Sequence, residues 1–148
     1  MKIKKNFLPS IIFLSVLILG LNAYADGIND LYGTWTVDYE RSIEKAEKNP
    51  KYSAEELKNM PEIVKKMMAT MKVRLRQSEM VFIKEGEEKS YPFSLVAESK
   101  NTARIEYNTG TKQYFLNFTL TDKEHMYFKS SGSDDMDNYI WKRTDIGA

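Results

Sequence analysis

A nucleophile, general base or metal ligand must come from a short inventory of side chains, and this chain holds little of it. It has one histidine, His125, and no cysteine. Cys–His catalysis therefore lacks its nucleophile, and a conventional zinc cluster lacks its ligand set. His125 stands at a turn–strand junction beside Glu124, a position that predicts a solvated imidazole. No serine sits in a strand-to-helix nucleophile elbow. The densest group of oxygen ligands is Asp134, Asp135 and Asp137, followed by Asn138, in the loop SSGSDDMDN. Such spacing could chelate calcium. The loop lacks the glycine and distal glutamate of an EF-hand, however, and aspartates in hairpin turns accept local backbone hydrogen bonds. The expectation is a non-enzymatic protein with no metal and no cofactor.

What remains is apolar recognition. Met60, Met67, Met68 and Met71 crowd one segment, and methionine suits both irregular cores and adaptable binding surfaces. Leu57, Met60, Val64, Met67 and Met71 recur at spacings of three and four, which puts them on one face of a helix. That helix must cover something apolar, either as a plug in a filled core or as a lid over a ligand.

The elements that position these residues read from the N-terminus onward. Lys2, Lys4 and Lys5 precede the apolar run Ile11 to Leu21, and Ala23-Tyr24-Ala25 offers a small-x-small cleavage site. This is the pattern of a signal peptide over residues 1–25, and the run is short of the roughly 20 residues a spanning helix needs. Cleavage there leaves a mature chain, 26–148, with no transmembrane segment, destined for the periplasm or secretion. It removes three lysines and no acid, leaving 19 basic and 21 acidic side chains. A charge of −2 gives no reason to expect nucleic acid as a partner.

After LYGTWTVD the composition turns to Glu, Lys, Ala and Met from Glu40 to Lys72, all helix formers. Asn49-Pro50 splits this stretch into a short helix near Ser42 to Lys48 and a longer one. Ser53 and Glu56 form a capping box for the second, and Pro61 either kinks it or restarts it. From Lys72 the period becomes two. VRLR, MVFIK, KSYPFSLVA, ARIEYN, QYFLNFTLT, HMYFKS and NYIWKR are separated by short polar turns, which join antiparallel neighbours only. With the GTW strand they make eight. The expected fold is mainly β, an eight-stranded antiparallel up-and-down meander or barrel in one domain. Its helical insertion, between strands 1 and 2, is expected to lie across one mouth.

Gly33-Thr34-Trp35, the helices after it and the meander that follows resemble the calycins, the lipocalins and fatty-acid-binding proteins, and small exported bacterial GTW-type lipocalin-like domains. The resemblance implies that Trp35 packs across a closed barrel end near a basic residue of the last strand. In Tyr139-Ile140-Trp141-Lys142-Arg143 that residue is Arg143. Gly33, Trp35, Trp141 and Arg143 are thus the expected closure residues. Three features depart from these families. Five residues follow Arg143 where lipocalins carry a helix, and eight strands are counted where fatty-acid-binding proteins have ten. Arg74, Arg76 and Arg104 fall out of phase with their strands' apolar residues, so they should point outward, whereas fatty-acid-binding proteins grip a carboxylate with interior arginines.

An eight-stranded barrel is just wide enough to be filled by side chains or to hold one small ligand. The first expectation is an exported binding protein holding a small apolar or amphipathic molecule, lined by Met67, Met71, Phe93, Tyr107, Leu116 and Phe118. The alternative is a periplasmic protein-interaction module with a solid core: an inhibitor, immunity protein or envelope assembly factor. The leader reading has a direct check. The protein recovered from an exported fraction is expected to begin at Asp26 by intact mass, and a mass that retains residues 1–25 would overturn it.

Overall fold

The computed structural model describes residues 27–132 and 135–145; the expected signal peptide lies outside them. Eight antiparallel strands follow one another in chain order round a closed barrel, as the period-two runs predict. They are β1 Gly33–Val37, β2 Met71–Leu75, β3 Glu79–Lys84, β4 Glu87–Ser99, β5 Thr102–Asn108, β6 Gln113–Leu120, β7 His125–Ser130 and β8 Trp141–Arg143. Helices α1 (Tyr39–Glu47) and α2 (Ala54–Thr70) fill the connection from β1 to β2. Short 3-10 segments, Gly27–Leu31 and Asp135–Asn138, precede β1 and β8.

Local chemistry sets the ends of these elements. The Asp38 carboxylate accepts the Arg41 N–H at 2.9 Å and caps α1. Ser53 and Glu56 form the expected reciprocal capping box, at 3.2 and 2.7 Å. Helix α2 continues through Pro61 without restarting there, forgoing the one backbone bond a proline cannot donate. Its buried residues are Met60 and Val64, with Leu57 and Met67 half-buried beside them. The β3–β4 hairpin turns on Glu85 (φ 54°) and Gly86 (φ 86°), the left-handed pair that a tight antiparallel turn requires. Pro92 stands opposite Glu79, the last pair of the β3–β4 ladder, where β4 changes partner and a missing N–H is tolerated.

The interior is filled at its centre. Trp35, Phe118, Phe128 and Trp141 are fully buried. Phe128 lies 5.3 Å from both Phe118 and Trp141, centroid to centroid. At one end the segment Gly27–Leu31 buries Ile28 and Leu31 beneath this core. The Trp35 indole N–H donates to the Leu31 carbonyl at 2.9 Å. Arg143 lays its guanidinium 4.5 Å from the Trp35 ring centroid and donates to the carbonyls of Tyr32, at 2.7 Å, and Asp30. Gly33 explains the first letter of the motif. Its φ is 140°, and a Cβ there would stand 2.8 Å from the Asp145 carboxylate and 3.0 Å from Arg143. Asp145 in turn accepts the Thr34 N–H at 2.8 Å. Gly33, Trp35 and Arg143 thus form the closed end together, while Trp141 lies in the core above it.

The helices do not simply bridge a mouth. Helix α1 lies along the outer side of β7 and β8: the Ser42 hydroxyl accepts the Ile140 N–H at 2.9 Å, and Lys45 sits over the outward-facing Tyr127. Helix α2 packs chiefly on α1 and on β1 and β2. The reason is the capping of α1 by Asp38 directly after β1, which turns the chain back along the barrel wall.

The two tryptophans separate burial from hydrogen bonding. The Trp141 indole N–H has no partner among the described residues, whereas Trp35 has both a bond and a stacked arginine. Trp35→Phe is expected to destabilise more than Trp141→Phe, by about 1–2 kcal/mol in urea unfolding. Equal losses would show that the closure contacts add nothing beyond packing.

Candidate ligand-binding mouth

At the end opposite Arg143 the barrel's inner face changes character along three adjacent strands. On β2 the inward positions run from Leu75 and Val73, both buried, to half-buried Met71. On β3 they run from buried Met80 through half-buried Phe82 to exposed Lys84. On β4 half-buried Tyr91 gives way to exposed Lys89 and Glu87. The pairs Met71–Lys84, Phe82–Lys89 and Met80–Tyr91 hold these residues side by side. Met71, Phe82 and Tyr91 line a cavity of about 460 Å³, rimmed by Lys84, Glu85, Glu87 and Lys89. Its walls are therefore apolar below, aromatic midway and charged at the rim.

The aromatic level continues round the barrel. Phe82 meets Tyr91 edge-on at 6.0 Å, Tyr91 meets Tyr107 at 5.4 Å, and Tyr107 stacks on Tyr114 at 5.4 Å. All four rings are half-buried. Among the described residues none of the three phenol groups makes a hydrogen bond. Burial, and then the neighbouring Tyr114 and Tyr91, push the Tyr107 hydroxyl above its ordinary pKa, so it stays a neutral donor. A Cβ at Gly132 would collide with the Tyr114 ring, which is why the turn after β7 can close against it only as glycine.

The residues expected to line a ligand fall at three levels. Met71 borders the cavity. Tyr107 belongs to the aromatic level, and half-buried Phe93 is its register partner. Leu116 and Phe118 lie deeper, in the filled centre. Met67 is half-buried on α2, packed against the core. Sequence reasoning missed Phe82, Lys84 and Lys89. Phe82 sits in MVFIK, a run apolar at four successive positions, so periodicity could not say which side faced inward. Arg74 and Arg76 do point outward, pairing with Glu88 at 3.4 Å and Glu79 at 2.7 Å. Arg104 also points outward, over Phe115.

Two other expectations meet different ends. The solvated His125 is a correction: the residue is buried. Its Nδ1 lies 2.8 Å from Asp122 and its Nε2 3.3 Å from Asp38, the cap of α1. Both ring nitrogens are thus engaged in fastening α1 to β7. The sequence shows these three residues at separations too irregular to suggest a cluster; the barrel's closure brings them together. In the acidic loop, Asp137 accepts the Ser130 N–H at 3.3 Å, the local turn bond expected of it. Asp134 lies outside the described residues. No group of metal-ligating side chains forms among the described residues.

No known family model, no curated protein and no solved structure matches this chain.

The His125 clamp has a pH signature. Burial alone raises the Asp122 carboxyl, but bonds from His125, the Glu124 N–H and Arg41 outweigh it and hold it at about 2, against an ordinary 3.8. A depressed carboxyl stabilises the fold above its unfolded value and loses that contribution as pH falls through its folded value. Stability is therefore expected to drop between about pH 4 and pH 2, and Asp122→Asn to flatten that drop. Acid titration followed by tryptophan fluorescence checks this; an unchanged profile in the variant would remove Asp122 from the account.

Proposed function

We propose that this protein is an exported, non-enzymatic binding protein that holds a small amphipathic molecule in the mouth of its barrel. The observation that carries the reading is the half-exposed aromatic level over a filled core. The residues at the barrel's centre, Trp35, Ile105, Leu116, Phe118, Phe128 and Trp141, are sealed. Phe82 and Tyr91, in contrast, keep part of each ring open on a cavity of about 460 Å³, and half-buried Tyr107 and Tyr114 continue that level. That volume lies within the about 300–1,000 Å³ usual for small-molecule pockets. The unbonded phenols would orient a polar group, and the lysines and glutamates would face its solvated head. Catalysis is not part of the reading: among the described residues no nucleophile is paired with a base at the mouth, and the one histidine stands between Asp122 and Asp38, away from it. The resemblance to calycins is supported by the Trp35–Arg143 stack, and export by the leader-like N-terminus.

A second reading, a protein-interaction module, is favoured by the filled centre and by Ile63 and Met68, which α2 leaves 47 % and 41 % exposed. One experiment separates the two. The untagged protein, purified from its own compartment, is expected to carry an extra mass of a few hundred daltons by native mass spectrometry. It should also bind the neutral probe N-phenyl-1-naphthylamine, and Phe82→Ala with Tyr91→Ala should weaken that binding at least tenfold while the fold persists. A bare mass, together with no probe binding, sinks the mouth reading.

A further inference from the structure

On the barrel's outer side, where α1 and the α1–α2 connection face β7, there is a second cavity, of about 700 Å³. Lysines from three separate pieces of chain border it: Lys45 on α1, Lys51 in the connection and Lys129 on the outward face of β7. Tyr52 and Tyr127 add ring faces, and Asn49 and Thr121 neutral polar groups.

Three lysines stand here against two carboxylates, Glu56 and Asp137. Lys45 is half-buried. Its ammonium donates to the Asp137 backbone carbonyl at 2.6 Å and lies 4.7 Å from the centroid of the Tyr127 ring. Both contacts offer partial charge only. Of the two carboxylates, Asp137 accepts the Ser130 N–H and Glu56 accepts the Ser53 N–H; neither forms an ion pair with a bordering lysine among the described residues. Among the described residues the only lysine in an ion pair is Lys48, with Glu44. Burial lowers the Lys45 pKa; Asp137 opposes that, and Lys129 adds to it. An anion placed in the cavity would relieve all three lysines at once. Among the described residues no arginine borders it, so they do not supply the planar two-pronged grip that suits a carboxylate. Separate ammonium groups from three directions suit a tetrahedral oxyanion.

We propose that this groove binds a phosphate group, with Lys45, Lys51 and Lys129 on its oxygens and the Tyr127 ring against the organic part. A soluble phosphoester and a phospholipid headgroup present the same group. The site is distinct from the mouth and does not depend on it.

Calorimetry with glycerol 3-phosphate, inorganic phosphate and acetate tests the soluble source. Cosedimentation with phosphatidylcholine vesicles, with and without phosphatidylglycerol, tests the lipid source. Submillimolar binding is expected in one arm, weakened at least tenfold by Lys45→Gln with Lys129→Gln and unchanged by Lys72→Gln with Lys112→Gln, exposed lysines that border neither cavity. In the unsubstituted protein, with its lysines carrying ¹³C-methyl groups, the Lys45 signal should shift on adding the ligand that binds. The proposal is overturned if neither arm binds, if the groove variant binds as well as the parent, or if acetate binds as tightly as phosphate.

Discussion

The ladder that closes the barrel, between β1 and β8, is only three residue pairs long: Trp35–Arg143, Thr36–Lys142 and Val37–Trp141. A join so short cannot rest on backbone bonds alone. It is reinforced from both sides by residues of these pairs and their chain neighbours. Arg143 reaches over Trp35 to two carbonyls beyond the strand, Trp141 stacks into the core, and the Thr144 N–H donates to Thr34 at 2.8 Å. Without this closure β1 and β8 would be open edges, and the face that becomes the mouth would have no opposite wall. Gly33 is part of the same device, since only a residue without a Cβ lets Arg143 and Asp145 approach that closely.

Closure also explains why the two ends differ. The end beneath Trp35 is sealed by Gly27–Leu31, whose apolar side chains complete the core. At the other end the β3–β4 hairpin continues past the packed layer, so its inward face runs into solvent. Because side chains alternate strictly along a strand, the inward positions beyond the core stay aligned and grade from Met71 and Phe82 to Lys84 and Lys89. The pocket is thus the continuation of the barrel interior beyond the point where bulky residues fill it. The helices add to this asymmetry: α1 is fastened to the outer wall through Asp38, His125 and Asp122, and α2 follows it.

Much of this was legible beforehand. Alternation in Ala103, Ile105, Tyr107 and in Tyr114, Leu116, Phe118 gave the correct inward sets, because each strand is half-buried and the pattern reports it. The Ser53–Glu56 box and the stripe Leu57, Met60, Val64 and Met67 were legible for the same reason, since capping and amphipathicity are short-range, but Met71, expected on the same helix face, opens β2 instead. Phe82 was not, since an apolar run has no phase. His125 was misjudged because Asp38 stands far from it in sequence, and only a folded wall makes them neighbours. The same holds for Lys45, Lys51 and Lys129, which come from a helix, a loop and a strand.

The sequence by itself determined the strand count, their antiparallel order and the helical insertion. These follow from period, turn chemistry and chain order, which act over a few residues. The tertiary structure alone decided how deep the aromatic filling goes, where the interior opens, and which polar side chains meet. Those depend on how staggered strands close on one another, and that stagger brings together residues that no local pattern relates.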